Sequence, residues 1–259
     1  MNKEIKPHIL SNTTWKSTKE IGYQVAVLPW GATEAHNLHL PYGTDVIIAE
    51  KLGAESARIA NSKGGKIIVL PAIAYGVNTG QPDVLLDMNL NPSTQFAILK
   101  DLITVLNRQG IHKLVILNTH GGNDFKQMIR EMNLLFPYMF LVQCNTYKIS
   151  GIETFVEDSG EHAGELETSM MLYLTPELVL PLSEAGEGKA KAFTIPALRE
   201  GWAWAERKWT QVTTDTGIGN PKEATIKKGE QIFNLSVEKI AAFLLELQNT
   251  TGKELYKQY

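Results

Sequence analysis

A chain of 259 residues, 43% hydrophobic and 20% charged, is long enough for a sizeable α/β core and too evenly mixed for a disordered or fibrous protein. Its 25 basic and 28 acidic side chains give a net charge of −3 with no Lys/Arg stripe, which argues against nucleic acid, and no apolar run approaches the ~20 residues needed to span a bilayer. Cys144 is the single cysteine, so no internal disulfide can form; Met1 to Pro7 lacks an apolar leader, and a cytoplasmic protein is expected.

Taken in chain order, short Val/Ile/Leu runs alternate with stretches of helical period. Val25–Pro29 reads as a strand, followed by a polar loop and a helix from about Val46 to Asn61. Lys66–Leu70 is a second strand. Pro92 then opens a helix to Gln109, with Phe96, Leu99, Leu102, Ile103 and Leu106 on one face and Gly110 closing it. Leu114–Leu117 and Met139–Cys144 are the third and fourth strands, separated by a helix over Phe125–Leu135. Cys144 reads as an inert core thiol within its strand. The stretch Leu180–Gly219, with Trp202, Trp204 and Trp209, reads as a long functional loop, the tryptophans suiting a substrate lid or a subunit interface. From Pro221 a last helix is expected to reach Gln248, with an interruption near Gly229. Strands apolar throughout are buried on both faces, so the pattern predicts one mostly parallel sheet with helices on both sides, formed by residues 1–259 as a single unit.

Three polar clusters fall just after strands or at helix starts, where open parallel sheets bind ligands. The first holds Glu34, His36, His39 and Asp45, and carboxylates with neutral imidazoles suit zinc- or manganese-like ions. Taken alone, Asp45 reads better as the cap of the following helix, with Glu34 and His36 merely solvated; the three together read as a metal site. The second is Asn118-Thr119-His120-Gly121-Gly122-Asn123-Asp124, where His120 is a further donor and Asn123 or Asp124 could cap a helix. The third is Glu161-His162-Ala163-Gly164-Glu165-Leu166-Glu167, leading into an apolar helix. If the helix includes His162, then Glu165 shares its face while Glu167 lies about 140° away and holds a neighbouring loop. Glu34, His36, Asp45, His120 and Glu165 together suit two ions sharing a carboxylate.

These motifs in this order resemble the creatininase-type amidohydrolases. The likeness rests on Leu28-Pro29-Trp30-Gly31-Ala32-Thr33-Glu34-Ala35-His36 through Thr44-Asp45, on Asn118 to Asn123, and on His162 to Ser169. A weaker match runs from Gly219 to Gly229. The resemblance implies a three-layer α/β/α sandwich and a binuclear zinc or manganese site, with iron tolerated. Glu34, Asp45 and His120 would hold one ion, His36 and Asp45 the other. It further implies that His162 carries a proton to the leaving nitrogen, and that the protein assembles as a homo-oligomer such as a hexamer. Creatininase itself has a Tyr-Glu pair after the third histidine, where Gly121 and Gly122 stand here; Glu165 is the expected replacement ligand. Its two substrate-enclosing tryptophans also lack counterparts, with Tyr147 near one position and Asp158 near the other. The expected reaction is hydrolysis of a C–N bond in a small amide, cyclic amide or formamide, with Gly121 and Gly122 N–H groups and Tyr147 against the substrate. A dinuclear phosphoesterase, or a non-catalytic metal- or ligand-binding protein, remains the alternative. No Walker-type loop is present, and Arg199 and Arg207 lie only in the long loop.

Overall fold

Four strands form one parallel sheet in the computed structural model, which describes residues 6–251 and 255–256. Residues 1–5 of the expected leaderless N-terminus lie outside the described residues. The strands are β1 (Val25–Trp30), β2 (Ile67–Val69), β3 (Lys113–Asn118) and β4 (Phe140–Asn145), in the order β2-β1-β3-β4. Five longer helices accompany them: α1 (Thr44–Ser62), α2 (Pro92–Arg108), α3 (Lys126–Leu135), α4 (Glu165–Leu174) and α5 (Ile226–Asn249).

The period-2 alternation of the strands sorts their side chains into two cores. Val25 and Val27 of β1, with Val115 and Leu117 of β3, pack against α1, α4 and α5 through Leu52, Met171, Ile232 and Leu244. Ala26, Leu28 and Trp30, with Leu114 and Ile116, face Leu99 and Ile103 of α2 and Met128 and Met132 of α3 on the other side. The result is the expected three-layer α/β/α sandwich. Burying an aliphatic side chain such as Leu99 contributes about 1.5–3 kcal/mol, and both faces of the sheet are secured this way.

The chain leaves β1 toward β2 on one side, while β3 pairs on the other. The strand order therefore reverses between β1 and β3, and a crevice opens at their carboxyl ends, where Trp30, Asn118 and Asn145 stand in register. The last helix differs from expectation. It starts at Ile226, where the Thr225 hydroxyl accepts from Lys228 N at 3.2 Å, and it runs unbroken through Gly229. Gly229 marks a helix crossing, because a Cβ there would overlap the carbonyl of Ser169 in α4. Among the described residues, no helix is long and apolar enough to cross a membrane.

Candidate metal centre

The loop leaving β1 carries Glu34 and His36 across the crevice and returns as α1, whose second residue is Asp45; the helix is capped at Gly43, not at Asp45. His120 enters from the end of β3. His162 and Glu167 come from the segment before α4 and from its first turn. Their ligand-type atoms form three groups, each within 4.8 Å: Glu34, Asp45 and His120; His36, Asp45 and Glu167; and Glu34, His36 and His162. His120 Nδ1 lies 2.8 Å from Glu34 Oε1 and 3.3 Å from Asp45 Oδ2. His36 Nε2 lies 3.4 Å from Asp45 Oδ1, and His162 Nδ1 3.7 Å from Glu34 Oε1. All but Glu167, which is half-buried, are buried from solvent.

Each histidine has its outer nitrogen committed to a backbone carbonyl, which can only accept. His36 Nδ1 donates to Glu34 O at 3.0 Å, His120 Nε2 to Val77 O at 3.0 Å, and His162 Nε2 to Ala35 O at 2.8 Å. These bonds fix the tautomers and turn the remaining nitrogens inward, the arrangement that orients metal-binding histidines. Ala35 is itself held, its N–H donating to Asp87 Oδ1 at 2.6 Å and its carbonyl also accepting from the Thr216 hydroxyl at 3.2 Å. Asn37, Ala163 and Thr216 adopt left-handed backbone conformations around this core; for Thr216, β-branched, that is strained and is sustained by its surroundings.

The buried carboxylates and imidazoles perturb one another strongly. Burial opposes charge throughout, yet Asp45 lifts His36 to about 10, Glu34 and Asp45 raise His120, and the histidines hold Glu34 and Asp45 below the usual carboxylate range. Burial raises Glu167. His36 Nε2 and Asp45 Oδ2 are buried without hydrogen-bond partners. Electron-pair donors converging in this way fit divalent ions bound by nitrogen and oxygen, with Asp45 common to two of the groups.

The third cluster is arranged differently from its expected helical wheel. His162 precedes α4, Ala163 is left-handed, and the helix begins at Glu165. Glu165 therefore turns away from the centre, toward Lys228 Nζ at 2.5 Å and the N–H groups of Glu157 and Asp158 at 2.8 and 3.1 Å. Glu167 takes the inward place, with Oε2 accepting from Ala163 N at 2.6 Å. With Gly164 at the N-cap, Glu167 is the third residue of the helix and reaches back past the cap to Ala163, one residue before it. His39 is outside the ligand groups; burial and His36 lower it to about 4, and its Nε2 meets the Thr168 hydroxyl at 2.9 Å.

Gly121 and Gly122 are exposed beside His120, and a Cβ on Gly122 would overlap the Val77 carbonyl and the His120 ring, so that glycine is needed for the histidine to pack. Tyr147 is partly exposed nearby, its hydroxyl raised by burial and by Asp124 and Asp45. Neither Asn123 nor Asp124 caps α3, whose N-cap is Phe125; Asp124 stands one residue earlier and accepts from Lys126 N at 3.1 Å. Of the long-loop tryptophans, Trp202 and Trp204 are exposed, whereas Trp209 sets its ring edge against His162 at 5.6 Å. The His36 ring also lies against His162, at 4.2 Å and tilted by 40°. Gln81, absent from every sequence cluster, donates to Glu34 Oε2 at 2.6 Å. Neither Gln81 nor the Trp209 contact leaves a local sequence signal.

Residues 11–244 match the family model Creatininase: Creatinine amidohydrolase. A Bacteroides fragilis NCTC 9343 protein, described as a candidate creatinine amidohydrolase, has a solved structure similar at TM-score 0.90, with 40% identity, covering 97% of this chain and 99% of that one. The mycofactocin precursor peptide peptidase of Mycolicibacterium smegmatis is 29% identical over 225 residues, 81% of this chain and 79% of that protein. The creatinine amidohydrolase of Pseudomonas putida is 27% identical over 202 residues, 67% of this chain and 74% of its own.

Proposed function

Because the chain belongs to the creatininase family of metal-dependent amidohydrolases, we propose that it hydrolyses a non-peptide C–N bond, in a small polar amide, cyclic amide or formamide, at a pair of divalent ions. Glu34, Asp45 and His120 would hold one ion, and His36, Asp45 and Glu167 the other, zinc and manganese being suited to these donors. When bound, such a pair supplies Lewis acidity, acidifying water and polarising a carbonyl.

The chain's own residues supply the remainder. His162 has Nε2 tied to Ala35 and Nδ1 facing the centre, so Nδ1 is the atom that delivers a proton to the departing nitrogen. The rings of His36 and Trp209 pack against the His162 ring and hinder its turning. The exposed Gly121 and Gly122 backbone and the Tyr147 hydroxyl border the approach and orient the carbonyl. Creatinine itself is disfavoured, since Tyr147 and Asp158 stand near the positions of the enclosing tryptophans. Exposed Trp202, Trp204 and Leu85 suit burial between copies of the chain, and assembly as a homo-oligomer is part of this reading.

The observation that carries the proposal is Asp45, whose two oxygens face two histidines from separate ligand groups. Metal analysis of the purified protein, with turnover of formamides, cyclic amides and phosphoesters, tests it. Two bound ions and amide turnover are expected. A protein that binds no ion, or cleaves only phosphoesters, would overturn it.

A further inference from the structure

We propose that Gln81 is a positioning residue for the metal centre: its side-chain amide locks the rotation of the Glu34 carboxylate, so that one oxygen alone, Oε1, is presented to the ions. The inference rests on the metal-centre reading above and adds to it a residue that is not itself a ligand.

The geometry divides the two oxygens of Glu34. Oε2 accepts from Gln81 Nε2 at 2.6 Å, while Oε1 lies 2.8 Å from His120 Nδ1 and 3.7 Å from His162 Nδ1. The last torsion of a glutamate is broad and two-fold, so an unrestrained carboxylate could swing both oxygens toward one ion. A donor on Oε2 removes that freedom. An ionised carboxylate only accepts, so the nitrogen end of the amide must face it. The other end shows what this arrangement costs: Gln81 Oε1 is buried and has no hydrogen-bond partner. Were the side chain there only to fill space, a methionine of similar shape would do so without burying an unmet acceptor. The N–H is the one property that distinguishes the glutamine here.

The turn that carries Gln81 is fixed from both directions. Gln81 N donates to Asn78 O at 3.0 Å, and Val84 N to Gln81 O at 3.1 Å. Over it lies the segment 206–209, with Trp209 N donating to Gly80 O at 2.9 Å and the Thr79 hydroxyl bonded to the Glu206 carboxylate. One overlying segment thus braces Glu34 through Gln81 and His162 through the Trp209 ring.

Cobalt(II) titration of the metal-stripped full-length protein, followed by visible absorption, tests the role directly. Gln81→Met should fold and melt at or above the wild-type temperature without metal, yet bind cobalt about 10- to 100-fold more weakly with a shifted spectrum. Gln81→His, whose ring N–H can still donate, should recover most of the affinity. Wild-type affinity and spectrum in Gln81→Met would overturn the proposal. Should that variant fail to fold, Gln81→Asn, one methylene too short to reach Glu34, decides in the same way. A wild-type protein that takes up no cobalt would bring down the metal-centre reading as well, which separates the two failures.

Discussion

Two helix starts, those of α1 and α4, meet at the candidate centre, and both carry acids in their first turn. By the helix dipole alone they are equivalent, each acid favoured by about 0.3–1 kcal/mol. Their partners differ. Asp45 turns both oxygens toward histidines, whereas α4 divides its acids. Glu165 and Glu167, roughly 200° apart around the helix, face a lysine on one side and the centre on the other. Helix electrostatics explains why acids stand at both starts. The rotation of each helix about its axis decides which acid can do chemistry, and that is set by packing.

Substitutions at the two starts can break or sharpen this contrast. Asp45→Asn should have the largest effect, emptying both ion sites and reducing turnover to background; metal content of the purified variant checks it. His162→Ala, just before α4, should retain its ions while the chemical step slows about 100- to 10,000-fold in single-turnover measurements. The contrast within α4 is sharpest in a pair. Glu167→Gln should lose one equivalent of metal, and Glu165→Gln none; equal losses in both would erase the distinction drawn above.

Glu165→Gln should act on stability instead, at a cost of about 1.5–3 kcal/mol for a charged hydrogen bond. Burial raises the Glu165 carboxyl, but Lys228 and the N–H groups of Asp158 and Glu157 override it and hold it below its ordinary 4.5. A depressed acid stabilises above its unfolded value, and that contribution disappears as pH falls through the folded one. The melting-temperature gap between wild type and Glu165→Gln should therefore be full at neutral pH and close below about 4.5. Cys144→Ser, which alters none of the ligand groups, marks the floor. Burial lifts the thiol to about 11, so the native protein should react slowly with thiol reagents at pH 8, and the variant should keep full activity.

Much of this molecule was legible in the sequence because its signals are local. The strand expected over Val25–Pro29 ends one residue later, at Trp30, and the helix expected over Pro92–Gln109 ends one earlier, at Arg108. Glu34, His36, Asp45 and His120 could be selected because each follows a buried strand or opens a helix in a parallel sheet. The wheel drawn from His162 failed for a specific reason: Ala163, at φ 51°, breaks the helical path between it and Glu165. Gln81 and the contact of Trp209 with His162 were beyond reach, since each side chain meets its partner only through the tertiary fold; Trp209 itself could be noted only as one of three loop tryptophans.

Gly229 gives the centre a remote adjustment. The α4 backbone at Ser169 rests where any side chain on that glycine would stand, and Glu167 lies about half a turn earlier on the same helix. A single methyl group introduced at the crossing would act as a wedge behind the proposed centre, tilting Glu167 while leaving the sheet and Glu34, His36, Asp45 and His120 undisturbed. Someone seeking to retune the spacing of the ions, without altering any atom that touches them, would begin at this bare stretch of helix.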